Sequence, residues 1–297
     1  MSSCRRPYRN LPKMRNDFCV FICSNGRAGS VTTIKALEGS GYTGDWYILC
    51  DDLDRQLDDY RREYGAERVQ VFDKKAMAAI IDTGTNDGDM RAIVYARNAC
   101  FDVAKSLGYR YFMELDDDIK RFMYKKDKHD GRLRERLLPN LDAVIESMIG
   151  FMESTKTTTI AMAQGGDFIG GINGGFFKKG LARKAMNSFI CDVERRFWFC
   201  GKQNEDVSTY VTLSNRGKLF FTFTKCGITP EPTQKLAGGM TEVYKESGGY
   251  TKPFSSVIFA PFAVKVRAMS SKHARIHHAV SWNNCAPCII NERWKKA

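Results

Sequence analysis

The 297-residue sequence predicts an α/β fold, a mixed and mostly parallel sheet flanked by helices in a single domain. Strand-length apolar runs lack alternation, as strands buried on both faces do. Helix-patterned segments separate those runs. Acidic and glycine-rich motifs stand directly behind them, where ligands collect at the carboxyl ends of parallel strands.

The elements follow in order. FCVFICS (18–24) is a continuous apolar run ending in Asn25-Gly26-Arg27-Ala28-Gly29-Ser30. A helix over VTTIKALEGSG follows, stopped by glycines. DWYILCDD (45–52) reads as the second strand, LDRQLDDYRREYG as a polar helix, and RVQVFD (68–73) as the third strand. After the turn-rich TGTNDGDM (83–90), a helix covers 91–108 with Gly108 as its stop. RYFMEL then leads into Asp116, Asp117 and Asp118. The charge run KRFMYKKDKHDGRLRER (120–136) reads as a solvated loop or as a basic flap over phosphate. A helix over LLPNLDAVIESMIGFMES, the glycine-rich FIGGINGGFFKKG (168–180), a helix opening at Asn204-Glu205-Asp206 and a strand over KLFFTFT (218–224) complete the pattern. VIFAPFAV (257–264) is the longest apolar run; its proline suits a core strand or a sheet edge.

Composition narrows the partners. Lys and Arg number 46 against 34 Asp and Glu, a formal charge of +12 that favours polyanions, either nucleic acid or an anionic membrane face. No apolar run reaches the length that spans a bilayer, and MSSCRRPYRN lacks a signal core, so the expectation is a soluble cytoplasmic chain. The ten cysteines form no disulfide framework. Cys285 and Cys288 make a lone CxxC whose spacing to His277 or His278 is not that of a standard zinc finger.

Three crowded carboxylates behind a buried strand point to a hard divalent cation, which takes one or two carboxylates and completes its shell with phosphate oxygens. Residues i and i+2 at a strand end share a direction, so Asp116 and Asp118 serve one cluster while Asp117 faces elsewhere. The plainer reading is a strand end doubling as a helix cap. Asp51 and Asp52 end the second strand, where a carboxylate accepts from a base or ribose, or closes a turn. Arg97 and Asn98 offer a forked anion ligand and an amide. The Asn25–Ser30 loop offers backbone N–H groups to phosphate at a helix start. Glu205 and Asp206 open a helix either as caps or as a general base. The C-terminal stretch 265–297 carries seven Lys and Arg and one acid, with Trp282 and Trp294 interleaved, a mixture suited to phosphates and exposed bases.

Taken together, the order of these pieces resembles the GT-A glycosyltransferases. An early strand and loop, a strand ending in Asp, an Ala-Arg-Asn helix, a strand ending LDDD, a glycine-rich segment and a Glu-Asp helix start follow one another in that class. The LDDDI and NEDVSTYV segments and the basic charge are most similar to the phage TET-associated glycosyltransferase family. That resemblance implies a GT-A (Rossmann-like) domain over 17–264, between a basic arm at 1–16 and a basic extension at 265–297. It implies a UDP-sugar donor, a Mn²⁺ or Mg²⁺ ion, no membrane, and double-stranded DNA bearing 5-hydroxymethylcytosine as acceptor. By position, it places Asp116 and Asp118 on metal and diphosphate, with Asp118 the direct ligand and Asp117 in the same donor cluster. Asn25, Arg27, Asp51 or Asp52, Arg97 and Asn98 line the donor pocket. Asp206, beside Glu205, is the base, and His277 or His278 completes the metal shell. The competing readings are a glycosyltransferase for lipid or polysaccharide, a nucleotidyltransferase, and a non-catalytic nucleic-acid-binding module.

Overall fold

The computed structural model describes residues 13–85, 87–127, 130–231, 240–246, 251–269 and 275–285. The chain runs β1 (Phe18–Cys23), α1 (Thr33–Gly39), β2 (Asp45–Asp51), α2 (Leu57–Tyr64), β3 (Val69–Phe72), α3 (Lys74–Ile80), α4 (Val94–Ser106) and β4 (Tyr111–Asp116). It continues through β5 (Ile119–Asp127), β6 (Leu133–Leu137), α5 (Leu141–Thr155), β7 (Thr159–Ala163), α6 (Gly175–Lys179), β8 (Leu181–Ala182) and β9 (Ser188–Asp192). It closes with α7 (Glu205–Ser214), β10 (Phe220–Pro230), α8 (Thr241–Glu246), α9 (Thr251–Phe259), β11 (Val264–Met269) and β12 (Arg275–Val280).

The main sheet has the order β3-β2-β1-β4-β9-β7-β10-β5-β6, with β8 against β10. β3, β2, β1 and β4 are parallel neighbours, as are β7 and β10. β9 runs antiparallel between β4 and β7, and β5 and β6 continue the sheet in antiparallel pairing. The mixed, mostly parallel sheet of the sequence reading is thus the observed one.

Residue alternation in β1 explains its unbroken apolar run. Phe18, Val20 and Ile22 enter one core beside residues of α1, α2 and α5. Cys19, Phe21 and Cys23 enter the other, beside residues of α3, α4 and α7. With helices on both faces, period two leaves no polar position to fill. β4 obeys the same rule. Tyr111, Met113 and Leu115 face the first core and Phe112 the second, so Glu114 and Asp116 share the α4 side. Phe112 packs edge-to-face on Phe21 and Phe101, at 5.7 and 4.9 Å between centroids. Truncating it to Ala removes about 3–5 kcal/mol by the usual cost of a buried aromatic.

Several expectations are corrected. The charge run 120–136 is neither loop nor flap but the hairpin β5–β6 at the sheet's end. Exposed Arg134, Glu135 and Arg136 on the outermost strand blunt an edge that would otherwise template further pairing. VIFAPFAV divides between α9 and β11, because Pro261 sits in the turn between them. The central strand β9, SFICD, carries no signal apart from its apolar core. The boundary expected at 264/265 falls inside β11, whose hairpin with β12 packs against α9. Trp282 stacks on Tyr210 of α7 at 5.7 Å instead of waiting for a base. Cys285 is buried and donates to the Ser281 carbonyl at 3.3 Å; Cys288, His273 and Trp294 lie outside the described residues. No helix among the described residues is long and apolar enough to cross a membrane.

Candidate active site

The carboxyl ends of β1, β2, β4 and β7 open into a cleft of about 1310 Å³. Its rim is the loop after β1. The sequence offers this loop's N–H groups to phosphate, yet the fold engages them internally. Gly26 N–H donates to Asp54 (2.8 Å), Arg27 N–H to the Tyr60 hydroxyl (2.8 Å) and Ala28 N–H to Gln56 (2.9 Å). Gly26 adopts φ +65°, a left-handed value that glycine tolerates without a Cβ clash. Asn25 donates its amide to Asp51 at 2.9 Å, and Lys74 Nζ approaches the same oxygen at 3.1 Å.

The two acids ending β2 part company. Asp51 lines the cleft. Asp52 is exposed, lies outside the cleft lining and accepts from Lys74 N–H at the start of α3, the helix that Asp73 caps, so it braces that turn. Asp117 is likewise reassigned. Ser24 Oγ donates to one of its oxygens at 2.5 Å and Arg27 Nη1 to the other at 2.9 Å, so it anchors the rim loop. Arg27 therefore reaches the cleft through its pairing with Asp117.

Asn98 is also corrected. It is fully buried and clamps Phe199, donating to that residue's carbonyl at 3.0 Å and accepting from its N–H at 2.9 Å. Its donor-pocket role disappears because position 98 points about 100° around the helix from Arg97. Arg97 itself, 1% exposed, is ringed by acids. Its Nη2 meets Asp116 at 3.0 Å, its Nε meets Glu205 at 3.0 Å and its Nη1 lies 3.6 Å from Glu114.

The floor of the cleft holds carboxylates without adequate partners. Asp118 Oδ1 is buried with no hydrogen-bond donor. Burial, and then the charges of Asp116 and Asp117, push the Asp118 carboxyl up to about 7. Asp116 is raised by burial against the pull of Arg97. Asp206 is pushed up to about 6, first by burial and then by Glu205, with Lys252 pulling it down. One Asp206 oxygen accepts from Val207 N–H at 2.7 Å, which fixes the side chain at the start of α7. Asn204 precedes it at φ +52° and donates to the Lys252 carbonyl at 2.7 Å, tying α7 to α9.

His277 and His278 reach the cleft from β12, their rings 4.2 Å apart. Burial, followed by His277, Lys252 and Lys184, brings His278 down to about 4, so it is neutral at pH 7. Neutral imidazole is the form that can ligate a cation. Among the described residues no group of three or more His, Cys, Asp or Glu is placed to hold a metal ion. Asp116 and Asp118 nevertheless fit a hard dication that takes its remaining ligands from phosphate oxygens. The orphaned Asp118 oxygen is the group such an ion would satisfy.

Sequence reasoning missed five partners. Asp54, Gln56 and Tyr60 act on the rim from about thirty residues away, and no spacing rule links them to it. Lys252 carried no signal. Glu114 did, since a glutamate inside a fully buried strand is anomalous.

Residues 18–239 match the family model TAGT, the TET-Associated Glycosyltransferase. No curated protein matches the sequence. Among solved structures, glucosyl-3-phosphoglycerate synthase from Mycobacterium tuberculosis with Mn²⁺, uridine diphosphate and phosphoglyceric acid is similar. It has 8% identity and a TM-score of 0.45, over 91% of this chain and 93% of that one. Mannosyltransferase PcManGT from Pyrobaculum calidifontis with GDP-Man and Mn²⁺ has 10% identity and a TM-score of 0.45, over 86% of this chain and 77% of that one.

Proposed function

The chain belongs to the TET-associated glycosyltransferase family, and from that premise we propose that it moves a sugar from a UDP-sugar to the hydroxymethyl group of 5-hydroxymethylcytosine in DNA. The observation that carries this reading is the pair of under-neutralised carboxylates, Asp118 and Asp206, facing one cleft. One suits a cation on a diphosphate, and the other suits proton removal from an alcohol.

Asp116 and Asp118 would hold Mn²⁺ or Mg²⁺. When bound, that ion supplies positive charge to the departing diphosphate. The chain's own residues do the rest. Asp206, near 6, is ionised at neutral pH yet basic enough to accept the proton of the attacking hydroxyl. The acceptor oxygen bonds to the anomeric carbon as the bond from that carbon to the phosphate oxygen breaks, and UDP leaves. Lys252 limits the rise of the base, while Asn204 fixes the turn that presents it. Asp117, Asp54, Gln56 and Tyr60 hold the rim loop rigid, so donor orientation draws little on loop entropy.

The net charge of +12 supports a polyanionic acceptor. Exposed Lys265 and Arg267 stand on β11, with Arg267 in register with His277 of the cleft. The deciding experiment incubates hydroxymethylated DNA with Mn²⁺ and a panel of UDP-sugars, then weighs the released nucleosides. A hexose-sized mass gain on 5-hydroxymethylcytosine, absent in chelator, is expected. No gain with any donor, or equal transfer to free sugars, overturns the proposal.

A further inference from the structure

Arg97 faces three carboxyl groups at once, and its three partners come from different parts of the site. Asp116 belongs to the metal side, Glu205 adjoins the base, and Glu114 lies two residues before Asp116 with neither oxygen hydrogen-bonded. The guanidinium is planar and rigid, so its Nη2 and Nε cannot reorient independently. Phe189 lies 5.0 Å from it and closes one face against water. Screening is weak in such a place, and a change in one partner is felt by the others.

We propose that Arg97 is a positioning residue that couples cation binding at Asp116 to the α7 carboxylates. A cation that engages Asp116 leaves more of the Arg97 charge for Glu205, which steadies the turn carrying Asp206. By linkage the effect is reciprocal: neutralising Glu205 turns Arg97 wholly onto Asp116 and Glu114, where it competes with the cation. This rests on the reading of Asp116 and Asp118 as metal ligands. It adds that Glu205, through its bond to Arg97, sets the metal affinity.

The test is the Mn²⁺ dissociation constant in the presence of UDP, read by electron paramagnetic resonance of free Mn²⁺, with the melting temperature as a folding control. Glu205→Gln is compared with Asp206→Asn, which removes a like charge one residue along that does not bond to Arg97. Expected is at least about a five-fold weaker Mn²⁺ constant for Glu205→Gln, the lower end of ordinary coupling, and less than about two-fold for Asp206→Asn. In an Arg97→Lys background, or Arg97→Gln should that variant not fold, the Glu205→Gln effect shrinks below about two-fold, and an undiminished effect overturns the role of Arg97. Equal weakening by both single variants indicates charge acting through space and overturns the role of Arg97, as does no change in Glu205→Gln. A wild-type protein that binds no Mn²⁺ overturns both this proposal and the metal reading beneath it.

Discussion

The rim of the cleft and its floor hold side chains of the same kind in opposite circumstances. On the rim, Asp54 and Asp117 accept from backbone, hydroxyl and guanidinium donors, and each hydrogen bond joins the β1 loop to another element. On the floor, Asp118 keeps an orphaned oxygen and Asp206 satisfies one oxygen locally, and both are pushed upward by burial and like charge, whereas the rise that burial imposes on Asp117 is opposed by Arg27 and Ser24. Satisfied acids give shape. Unsatisfied acids keep electrostatic energy that a ligand can relieve, and that is where chemistry is expected.

The sharpest test of this contrast is Asp118→Asn. Removing the floor charge should lower sugar transfer by roughly 10⁴-fold, the scale of several kcal/mol of charge stabilisation at a metal. The melting temperature should hold or rise, because a repelled carboxylate is gone. A fall in both would place Asp118 with the rim.

Asp206→Asn should reduce kcat by roughly 10²–10⁴-fold, the usual share of a general base, while Mn²⁺ binding survives. In the wild type, kcat should decline as pH falls through about 6, where Asp206 takes up its proton. A flat profile would remove Asp206 from the proton path.

Asp117→Asn should act differently. Losing charge-assisted bonds to Ser24 and Arg27 costs about 1–3 kcal/mol of stability, seen as a lower melting temperature. The KM for the donor should rise while kcat stays within about ten-fold, the pattern of lost ground-state binding. Tyr60→Phe removes the hydroxyl shared by Ser24 and the Arg27 N–H, for about 1 kcal/mol and little change in turnover.

The smallest effect concerns pH and stability. The folded Asp118 carboxyl, at about 7, lies above its ordinary value. Its contribution is fully present below the ordinary carboxylate range and is lost as pH rises through about 7. Calorimetry should therefore show wild type losing ground to Asp118→Asn as pH rises from the ordinary carboxylate range to about 7, with Mn²⁺ reversing the trend at the upper end.

The parallel half of the sheet was legible because strands buried on both faces announce themselves as unbroken apolar runs, and Asp116 and Asp118 were legible because they end one. Hairpin β5–β6 was hidden by charges that an edge strand requires, and these look like those of a loop. Arg97 and Asn98 are neighbours in sequence, and nothing in their spacing says which faces the acids and which faces Phe199. The rim loop was misread for a related reason. Its donors are real, but the residues that engage them lie on α2 and in the turn before it, and only the fold brings them near.

The pleating of β4 has a further consequence. Glu114 and Asp116 reach Arg97 because they share the parity of Phe112, whereas Asp117 stands in the turn just past the strand and holds the rim. Labour within the acidic trio is thus assigned by where β4 ends, with Asp116 on its last pleat and Asp117 and Asp118 in the turn before β5, not by the chemistry of three identical side chains. Inserting a single residue between Tyr111 and Glu114 would preserve every functional group and still turn the strand over, sending Asp116 toward the α1 side and leaving Arg97 with Glu205 alone of its three acids.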